Sequence, residues 1–183
     1  MVKVGINGFG RIGRLILRAL LENYKGKIQV VGINDLGSIE ANAHLIKFDS
    51  THGTLNHEVK TTKEGFQIGD QNIKVFAERD PSKLPWGKIG ADVVLECTGF
   101  FLDKKSAGKH IEAGAKKVII SAPAKEVDFT VVQGVNSKDL KKEHNVISNG
   151  SCTTNCLAPV AMVLENTFGL SLIHISEPTR LLA

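Results

Sequence analysis

Near its start the chain reads Val2-Lys3-Val4-Gly5-Ile6-Asn7-Gly8-Phe9-Gly10-Arg11-Ile12-Gly13. Residues 2–8 are apolar and β-branched, which predicts a buried strand. The glycines then follow the pattern G-x-G-x-x-G, and an apolar stripe with helical spacing comes after them. In this context we expect Gly8 to permit a tight turn, Gly10 to let the backbone approach a pyrophosphate, and Gly13 to let the helix pack close to the strand. The helix N-terminus would then offer free N–H groups to phosphates.

The rest of the chain continues to alternate between strand and helix patterns. Apolar strand-like runs are 28–34, 93–97, 118–121 and 129–135, and helical patterns are 39–48, 103–113 and 152–166. Three β-like segments between residues 57 and 79 are separated by glycine, as in hairpins, and residues 80–87 are punctuated as a loop by proline and glycine. Strands that alternate with helices pair in parallel through right-handed crossovers. The pattern therefore predicts an α/β fold with a doubly wound, mostly parallel sheet.

One acidic residue lies where a dinucleotide-binding fold needs it. Asp35 ends the second predicted strand, 22 residues after Gly13. A carboxylate at that point can accept hydrogen bonds from both hydroxyls of an adenosine ribose, and it would repel a 2′-phosphate. This favours NAD over NADP. The alternative is a glycine-rich turn without a ligand, in which Asp35 is only a turn residue.

Composition excludes several classes of protein. The chain has 183 residues, 42% hydrophobic and 23% charged, which is ordinary for a globular domain. We expect no transmembrane segment, no secretory signal and, with three cysteines, no disulfide framework, so a cytoplasmic location is favoured. The net charge is +4, and the window 103–125 carries six lysines against two acids. No aromatic residue lies among these lysines, so we expect a solvated helix rather than a nucleic-acid site.

A cysteine at the start of the last predicted helix is the candidate nucleophile. The run is Asn149-Gly150-Ser151-Cys152-Thr153-Thr154-Asn155-Cys156. Cys152 falls in the first turn, where unpaired N–H groups and the helix dipole favour a thiolate. No further ligand is near Cys156, so we predict no metal site and expect Cys156, like Cys97, to be a buried residue. A thiolate beside a nicotinamide suggests addition to an aldehyde, loss of hydride and a thioester.

Several segments together resemble the phosphorylating glyceraldehyde-3-phosphate dehydrogenases, and the resemblance covers about residues 1–169. The run Ser151-Cys152-Thr153-Thr154-Asn155-Cys156 is highly specific to that family, whereas the glycine pattern is not. The other matching segments are 7–14, Asn34-Asp35, 48–53, 96–99, 121–123, 134–136 and 148–159.

The resemblance implies a role for particular residues. Cys152 matches the catalytic nucleophile, and Ser151 and Thr153 match donors at the anion site that binds inorganic phosphate or the substrate phosphate. The positions that match cofactor-binding residues are Gly8, Gly10, Arg11, Ile12, Gly13, Asn34, Asp35, Arg79, Thr98, Gly99, Phe100 and Ser121. The family converts glyceraldehyde 3-phosphate, NAD and phosphate into 1,3-bisphosphoglycerate in glycolysis, usually as a cytoplasmic homotetramer.

The resemblance also predicts a division of the chain. We expect residues 1–150 to be the NAD-binding domain and residues 151–169 the first helix of a truncated catalytic domain. Residues 170–183 match nothing in the family and read like a translated sequencing adapter, so we expect a non-native read-through tail. None of the six histidines matches the family's general base, so we expect the fragment to be inactive alone. Two alternatives stay open: an erythrose-4-phosphate dehydrogenase, or a non-catalytic NAD-binding module.

Overall fold

The computed structural model describes residues 1–170, and eleven strands and five α-helices lie within that part of the chain. The strands are β1 (Val2–Asn7), β2 (Ile28–Asn34), β3 (Phe48–Asp49), β4 (Gly53–Thr54), β5 (Val59–Thr62), β6 (Gly65–Ile68), β7 (Gln71–Phe76), β8 (Val93–Glu96), β9 (Lys117–Ile120), β10 (Phe129–Thr130) and β11 (Val146–Ser148). The helices are α1 (Arg11–Asn23), α2 (Ile39–Lys47), α3 (Trp86–Ile89), α4 (Lys104–Glu112) and α5 (Cys152–Phe168).

Nine strands form one sheet in the order β10-β11-β9-β8-β1-β2-β7-β6-β5. The pairs from β10 to β7 are parallel, and β5, β6 and β7 form the antiparallel hairpins that their glycine spacing predicts. The predicted doubly wound, mostly parallel α/β fold is confirmed. The chain leaves β1 toward β2 on one side and returns to β8 on the other. A crevice is expected at the carboxyl ends of strands where the strand order reverses in this way.

Apolar residues on α1 bury one face of the sheet beside the glycine loop. Leu17 and Leu21 pack with Ile6 and Ile33 in the largest core cluster. Leu17, Ile6 and Ile33 are fully buried, and burying one such side chain stabilises the folded state by about 1.5–3 kcal/mol. This packing fixes the start of α1 against the end of β1, which is the position that matters for the site.

The prediction of a loop over residues 80–87 is wrong in one respect. Trp86 begins the short helix α3 and is fully buried, packed in a second core cluster with Leu84 and Val94. Pro85 and Gly87 therefore mark the entry to a buried turn and not an exposed loop. The indole N–H of Trp86 donates to Nδ1 of His110 at 2.9 Å, which satisfies its polar atom inside the core.

The last third of the described chain departs from expectation in three places. The predicted strand 129–135 pairs only at Phe129–Thr130, and β11 at 146–148 was not predicted. Helix α5 forms where its spacing indicates, yet none of its residues is buried, and Leu157, Val160 and Phe168 are exposed. Cys156 is exposed, not buried, for the same reason. No helix within residues 1–170 is long and apolar enough to cross a bilayer. The predicted read-through tail, apart from Leu170, lies outside the described residues.

Candidate functional site

The glycine loop between β1 and α1 is packed too tightly for side chains at two of its three glycines. Gly8 has φ +90°, and a Cβ there would lie 2.7 Å from the backbone nitrogen of Thr98. A Cβ on Gly13 would lie 2.2 Å from the carbonyl oxygen of Gly8. A Cβ on Gly10 would meet nothing within 4 Å, so this glycine leaves open space at the loop. Gly8 and Gly13 shape the loop, and Gly10 leaves room for a ligand beside it.

The N-terminus of α1 carries no internal partner for its free amides. Its N-cap, Gly10, makes no side-chain cap, and no acidic residue lies in the first turn. The guanidinium of Arg11 contacts the Asp49 carboxylate at 3.3 Å, and Ile12 is half-exposed. Free amides at a helix N-terminus bind anions such as a pyrophosphate. The loop and this helix end together fit a phosphate-bearing ligand.

A cleft of about 470 Å³ opens at the carboxyl ends of β1, β2 and β8. Seven of the twelve predicted cofactor-binding residues line it: Gly8, Gly10, Asn34, Asp35, Arg79, Thr98 and Phe100. Arg11, Ile12 and Gly13 continue the loop into α1, and Gly99 lies between two lining residues. Five further lining residues were not predicted from the sequence: Asn7, Leu36, Glu78, Cys97 and Phe101. Asn7 and Cys97 directly border the ends of apolar strands, and that position at a carboxyl edge is the signal by which they could have been found.

The carboxylate of Asp35 is held at this cleft by backbone amides. One oxygen accepts from the N–H of Phe9 at 2.9 Å, and the other accepts from the N–H of Gly37 at 2.8 Å. The same contact with Phe9 ties the end of β2 to the glycine loop. Arg79 is exposed at the rim, and its N–H donates to the Glu78 carboxylate at 2.8 Å. Asp35 thus presents a fixed negative charge beside the loop.

The opposite wall is formed by the residues that follow β8. Thr98 donates its N–H and hydroxyl to the buried carboxylate of Glu96, and its hydroxyl accepts from the N–H of Phe100 at 3.1 Å. The Phe100 side chain is 85% exposed. Burial raises the pKa of the Cys97 thiol to about 12. Cys97 therefore stays protonated at neutral pH and is not a nucleophile.

Ser121 lies outside the lining of the cleft, directly after β9. Its N–H donates to the carbonyl of Glu96 at 3.0 Å. The predicted cofactor residue is thus one contact away from the cleft wall.

Cys152 lies at the same edge of the sheet but away from the residues that line the cleft. It is the first residue of α5 and is exposed. Ser151 caps this helix by accepting from the N–H of Thr154 at 2.9 Å, and its hydroxyl pairs with that of Thr153 at 2.8 Å. From β1 to β11 there are three strand spacings, or about 14 Å. A ligand that reaches from the glycine loop to Cys152 must therefore be extended.

The turn before Cys152 is fixed by a buried hydroxyl. Ser148 donates to the carbonyl of Ala122 at 2.8 Å and accepts from the N–H of Gly150 at 3.0 Å. The side-chain amide of Asn155 donates to the carbonyls of Asn149 and Ser151. Among residues 1–170, no histidine forms a hydrogen bond with Cys152. No cluster of histidine, cysteine and acidic residues that could hold a metal ion was found in the same part of the chain.

The lysine-rich window pairs with acids from elsewhere in the fold. Lys104 contacts Asp128 at 2.6 Å, Lys109 contacts Asp80 at 3.4 Å, and Lys116 contacts Asp92 at 2.6 Å. All three acids lie outside the window 103–125. Their negative charges therefore offset part of the positive charge that this window carries. These ion pairs were not predicted from the sequence, which indicated only a solvated helix.

Comparisons with known proteins agree with the geometry. Residues 2–104, more than half of the chain, match the family model described as glyceraldehyde 3-phosphate dehydrogenase, NAD binding domain. The chain is 54% identical over 169 residues to glyceraldehyde-3-phosphate dehydrogenase of Xanthobacter flavus, and 56% identical over 170 residues to that of Geobacillus stearothermophilus. Each match covers 92% of this chain and 50% of the relative. The chain thus spans about half the length of the curated relatives it matches. With this loop, this cleft and this match, the chain belongs to the NAD-binding domain family of glyceraldehyde-3-phosphate dehydrogenases.

Proposed function

We propose that this chain is the NAD-binding half of a phosphorylating glyceraldehyde-3-phosphate dehydrogenase. The observation that carries the proposal is the cleft at the carboxyl ends of β1, β2 and β8, with the glycine loop at its base and Asp35 at one wall. The uncapped start of α1 would hold the pyrophosphate, and Asp35 would accept from the adenosine ribose hydroxyls. Arg79 would lie near the adenine. The same carboxylate disfavours NADP because a 2′-phosphate would meet a fixed negative charge.

The nicotinamide end would extend from the cleft toward β9 and β11. Thr98, Gly99, Phe100 and Ser121 follow β8 and β9 along that direction. An extended dinucleotide running across these strands would approach the end of β11, three strand spacings from β1, after which Cys152 follows. When bound, NAD supplies the acceptor for a hydride.

The chemistry proposed for Cys152 is covalent. Its sulfur adds to the aldehyde carbon of glyceraldehyde 3-phosphate, and loss of hydride from that carbon leaves an acyl thioester on the protein. Inorganic phosphate then displaces the sulfur to give 1,3-bisphosphoglycerate, and the thiolate is regenerated. The hydroxyls of Ser151 and Thr153 are at the helix start beside the sulfur and would donate to the phosphate. We propose that the full-length protein is a cytoplasmic homotetramer in glycolysis, as the family resemblance implies.

We propose that the 183-residue chain binds NAD but turns over little substrate. Cys152 is exposed and, within the described residues, has no histidine partner to act as its base. General base catalysis contributes typically 10²–10⁴-fold in rate. We propose the division of the chain at residue 150 on the same ground, because the residues before it build the cleft and the residues after it carry the nucleophile.

Calorimetric titration of the purified chain with NAD, together with an assay of NADH formation at 340 nm, tests this proposal. We expect saturable NAD binding that exceeds NADP binding, and negligible NADH from glyceraldehyde 3-phosphate and phosphate. Absence of NAD binding at millimolar ligand contradicts the proposed cofactor. Steady NADH formation by the chain alone contradicts the proposed inactivity.

Of the two alternatives, the non-catalytic module can be separated from this proposal with this chain. An erythrose-4-phosphate dehydrogenase would share the cleft and Cys152, and the relatives named above are glyceraldehyde-3-phosphate dehydrogenases. A non-catalytic module would bind NAD with an ordinary thiol at residue 152. Iodoacetamide kinetics distinguish it, since a Cys152 that reacts no faster than a model thiol at neutral pH favours the module.

A further inference from the structure

A row of buried polar side chains crosses the sheet at the cleft. Asn34, Asn7 and Glu96 end β2, β1 and β8, and strand register places Asn7 level with both of the others. All three are buried, and Glu96 is only 1% exposed. Asn34 donates to the side-chain oxygen of Asn7 at 2.7 Å, and Asn7 donates to one oxygen of Glu96 at 2.6 Å. The hydrogen bonds in this row therefore all run in one direction, and the last acceptor is the Glu96 carboxylate.

The side chain of His110, on α4, contacts the same carboxylate oxygen. Its Nε2 lies 3.0 Å from Glu96, and its Nδ1 lies 2.9 Å from the indole nitrogen of Trp86. An indole N–H can only donate, so Nδ1 of His110 must accept and Nε2 must carry the hydrogen. The imidazole thus donates to Glu96. His110, Trp86 and Glu96 are all fully buried, and none of them lines the cleft.

The second oxygen of Glu96 holds the cleft wall. It accepts from the N–H and from the hydroxyl of Thr98. At the far end of the row, Asn34 donates to the carbonyl of Glu78 at 2.8 Å and accepts from the N–H of the same residue at 2.8 Å. Thr98 and Glu78 line opposite sides of the cleft. Both sides are therefore connected through one carboxylate.

We infer that Glu96 is a positioning residue for the dinucleotide, acting as the common acceptor that fixes both walls of the cleft. The inference rests on the proposed binding of NAD. Four donors converge on this group, two at each oxygen, and an ionised carboxylate is the side chain that can accept all four. The walls are then set before the ligand arrives, and preorganised walls cost the ligand less free energy on binding.

Glu96→Gln is a sharp test because it keeps the shape of the side chain while it removes the negative charge and replaces one acceptor oxygen with a donor. One end of the glutamine side chain would be an NH₂ group, which must face either the Thr98 donors or the Asn7 and His110 donors. One wall then loses its acceptor. Val94→Ala is the matched control, because Val94 is fully buried two residues earlier on β8, on the same side of the strand, and does not line the cleft.

Binding of NAD to the 183-residue chain is measured by calorimetry at a temperature well below each variant's unfolding midpoint. We expect Glu96→Gln to weaken NAD binding at least tenfold, while Val94→Ala lowers the midpoint and leaves the Kd within twofold. Equal Kd values for the wild type and Glu96→Gln overturn the inference, as does an equal loss in both variants. A wild type that binds no NAD overturns the proposed function, and the inference with it.

His110 keeps the inference testable if Glu96→Gln does not fold. His110→Gln can still accept from Trp86 and donate to Glu96, whereas His110→Leu can do neither. We expect His110→Leu to weaken NAD binding severalfold and His110→Gln to restore most of it at a comparable unfolding midpoint. Identical Kd values in the two variants overturn the inference, because a role in packing alone follows side-chain volume and not hydrogen bonding.

Discussion

The cleft and the start of α5 lie on the same edge of one sheet, yet they are built differently. At the cleft, two polar lining side chains are held by fixed partners: Asp35 accepts two backbone amides, and Thr98 donates to Glu96. At α5, Cys152 follows a well-fixed turn, but it begins a helix none of whose residues is buried. The preorganised part of the molecule is therefore the cofactor cleft, which lies within residues 1–150. The proposed nucleophile, Cys152, follows a strand of the same sheet but is not enclosed by it.

The largest difference that we expect between the two regions is in the reactivity of their cysteine thiols. The pKa of Cys97 is raised to about 12 by burial, whereas Cys152 and Cys156 are exposed. At pH 8 a pKa near 12 leaves a thiolate fraction on the order of 10⁻⁴, at least about 10³-fold below that of an ordinary thiol. We expect a disulfide reagent to titrate two thiols rapidly in the native chain and three in denaturant. Rapid reaction of all three in the native chain would show that the Cys97 thiol is open to solvent.

The glycine loop should tolerate change least. Gly13→Ala places a Cβ 2.2 Å from the Gly8 carbonyl oxygen, so α1 must move away from β1. Overpacking of this kind costs about 1–3 kcal/mol of folding free energy, and we expect NAD affinity to fall by about 100-fold or more because the helix end no longer meets the phosphate. Denaturant unfolding and calorimetry measure the two effects.

Gly108→Ala is the matched control for that change. Gly108 lies inside α4, and a Cβ there meets nothing within 4 Å. Alanine in a helix interior is favoured over glycine by about 1 kcal/mol, so this variant should be stabilised and bind NAD normally. Similar losses in both variants would mean that the loop is not specially constrained.

The sequence predicted the cleft better than it predicted what lies behind it. The glycine pattern and Asp35 are local signals, separated by one strand and one helix, and β1 and β2 form where apolar runs indicate them. Glu96 carries no such signal: its partners Asn7 and His110 are 89 and 14 residues away. A carboxylate at the end of an apolar strand looks like a surface residue until tertiary contacts supply its donors.

Two further differences between prediction and structure also arise from tertiary contacts. Trp86 stands between proline and glycine, which favour a loop, but burial of its indole and a hydrogen bond to His110 outweigh that local preference. The apolar spacing of α5 predicts a packed face, and periodicity alone does not say which element covers it. The short strand β11 has too few residues for a period to be read.

Charge at Asp35 can be tested separately from the shape of the loop. Asp35→Asn removes the negative charge at the proposed ribose position, and its amide group also opposes the N–H of Phe9 or Gly37. We expect NAD affinity to fall by about 10-fold, or 1.4 kcal/mol, with a smaller loss for NADP because repulsion of its 2′-phosphate is relieved. Calorimetry with both dinucleotides gives the ratio. An equal loss for both would indicate that Asp35 acts only by holding the loop.

The contact between Asp128 and Lys104 stabilises the region around Cys152, and we expect its removal to have the smallest effect. The pKa of Asp128 is lowered to about 2 from 3.8, first by the hydrogen bond from the Lys104 side chain and then by the N–H of Val146, which begins β11. A carboxyl whose folded pKa is depressed stabilises the protein above its unfolded pKa, and that stabilisation is lost as the pH falls from about 4 through 2. Lys104 is half-exposed, so solvent screening limits the contribution to about 1 kcal/mol.

We therefore expect Asp128→Asn to lower the unfolding free energy by about 1 kcal/mol at pH 7, with the difference from wild type disappearing between pH 4 and pH 2. The exposed Asp139 gives the control variant Asp139→Asn, which should be neutral throughout. NAD affinity at pH 7 should not change in either variant, because Asp128 supports β11 and not the walls of the cleft. A loss of NAD affinity in Asp128→Asn would mean that the two regions are mechanically coupled through β9 and β8. The separation between a preorganised cleft and an independently supported start of α5 would then have to be abandoned.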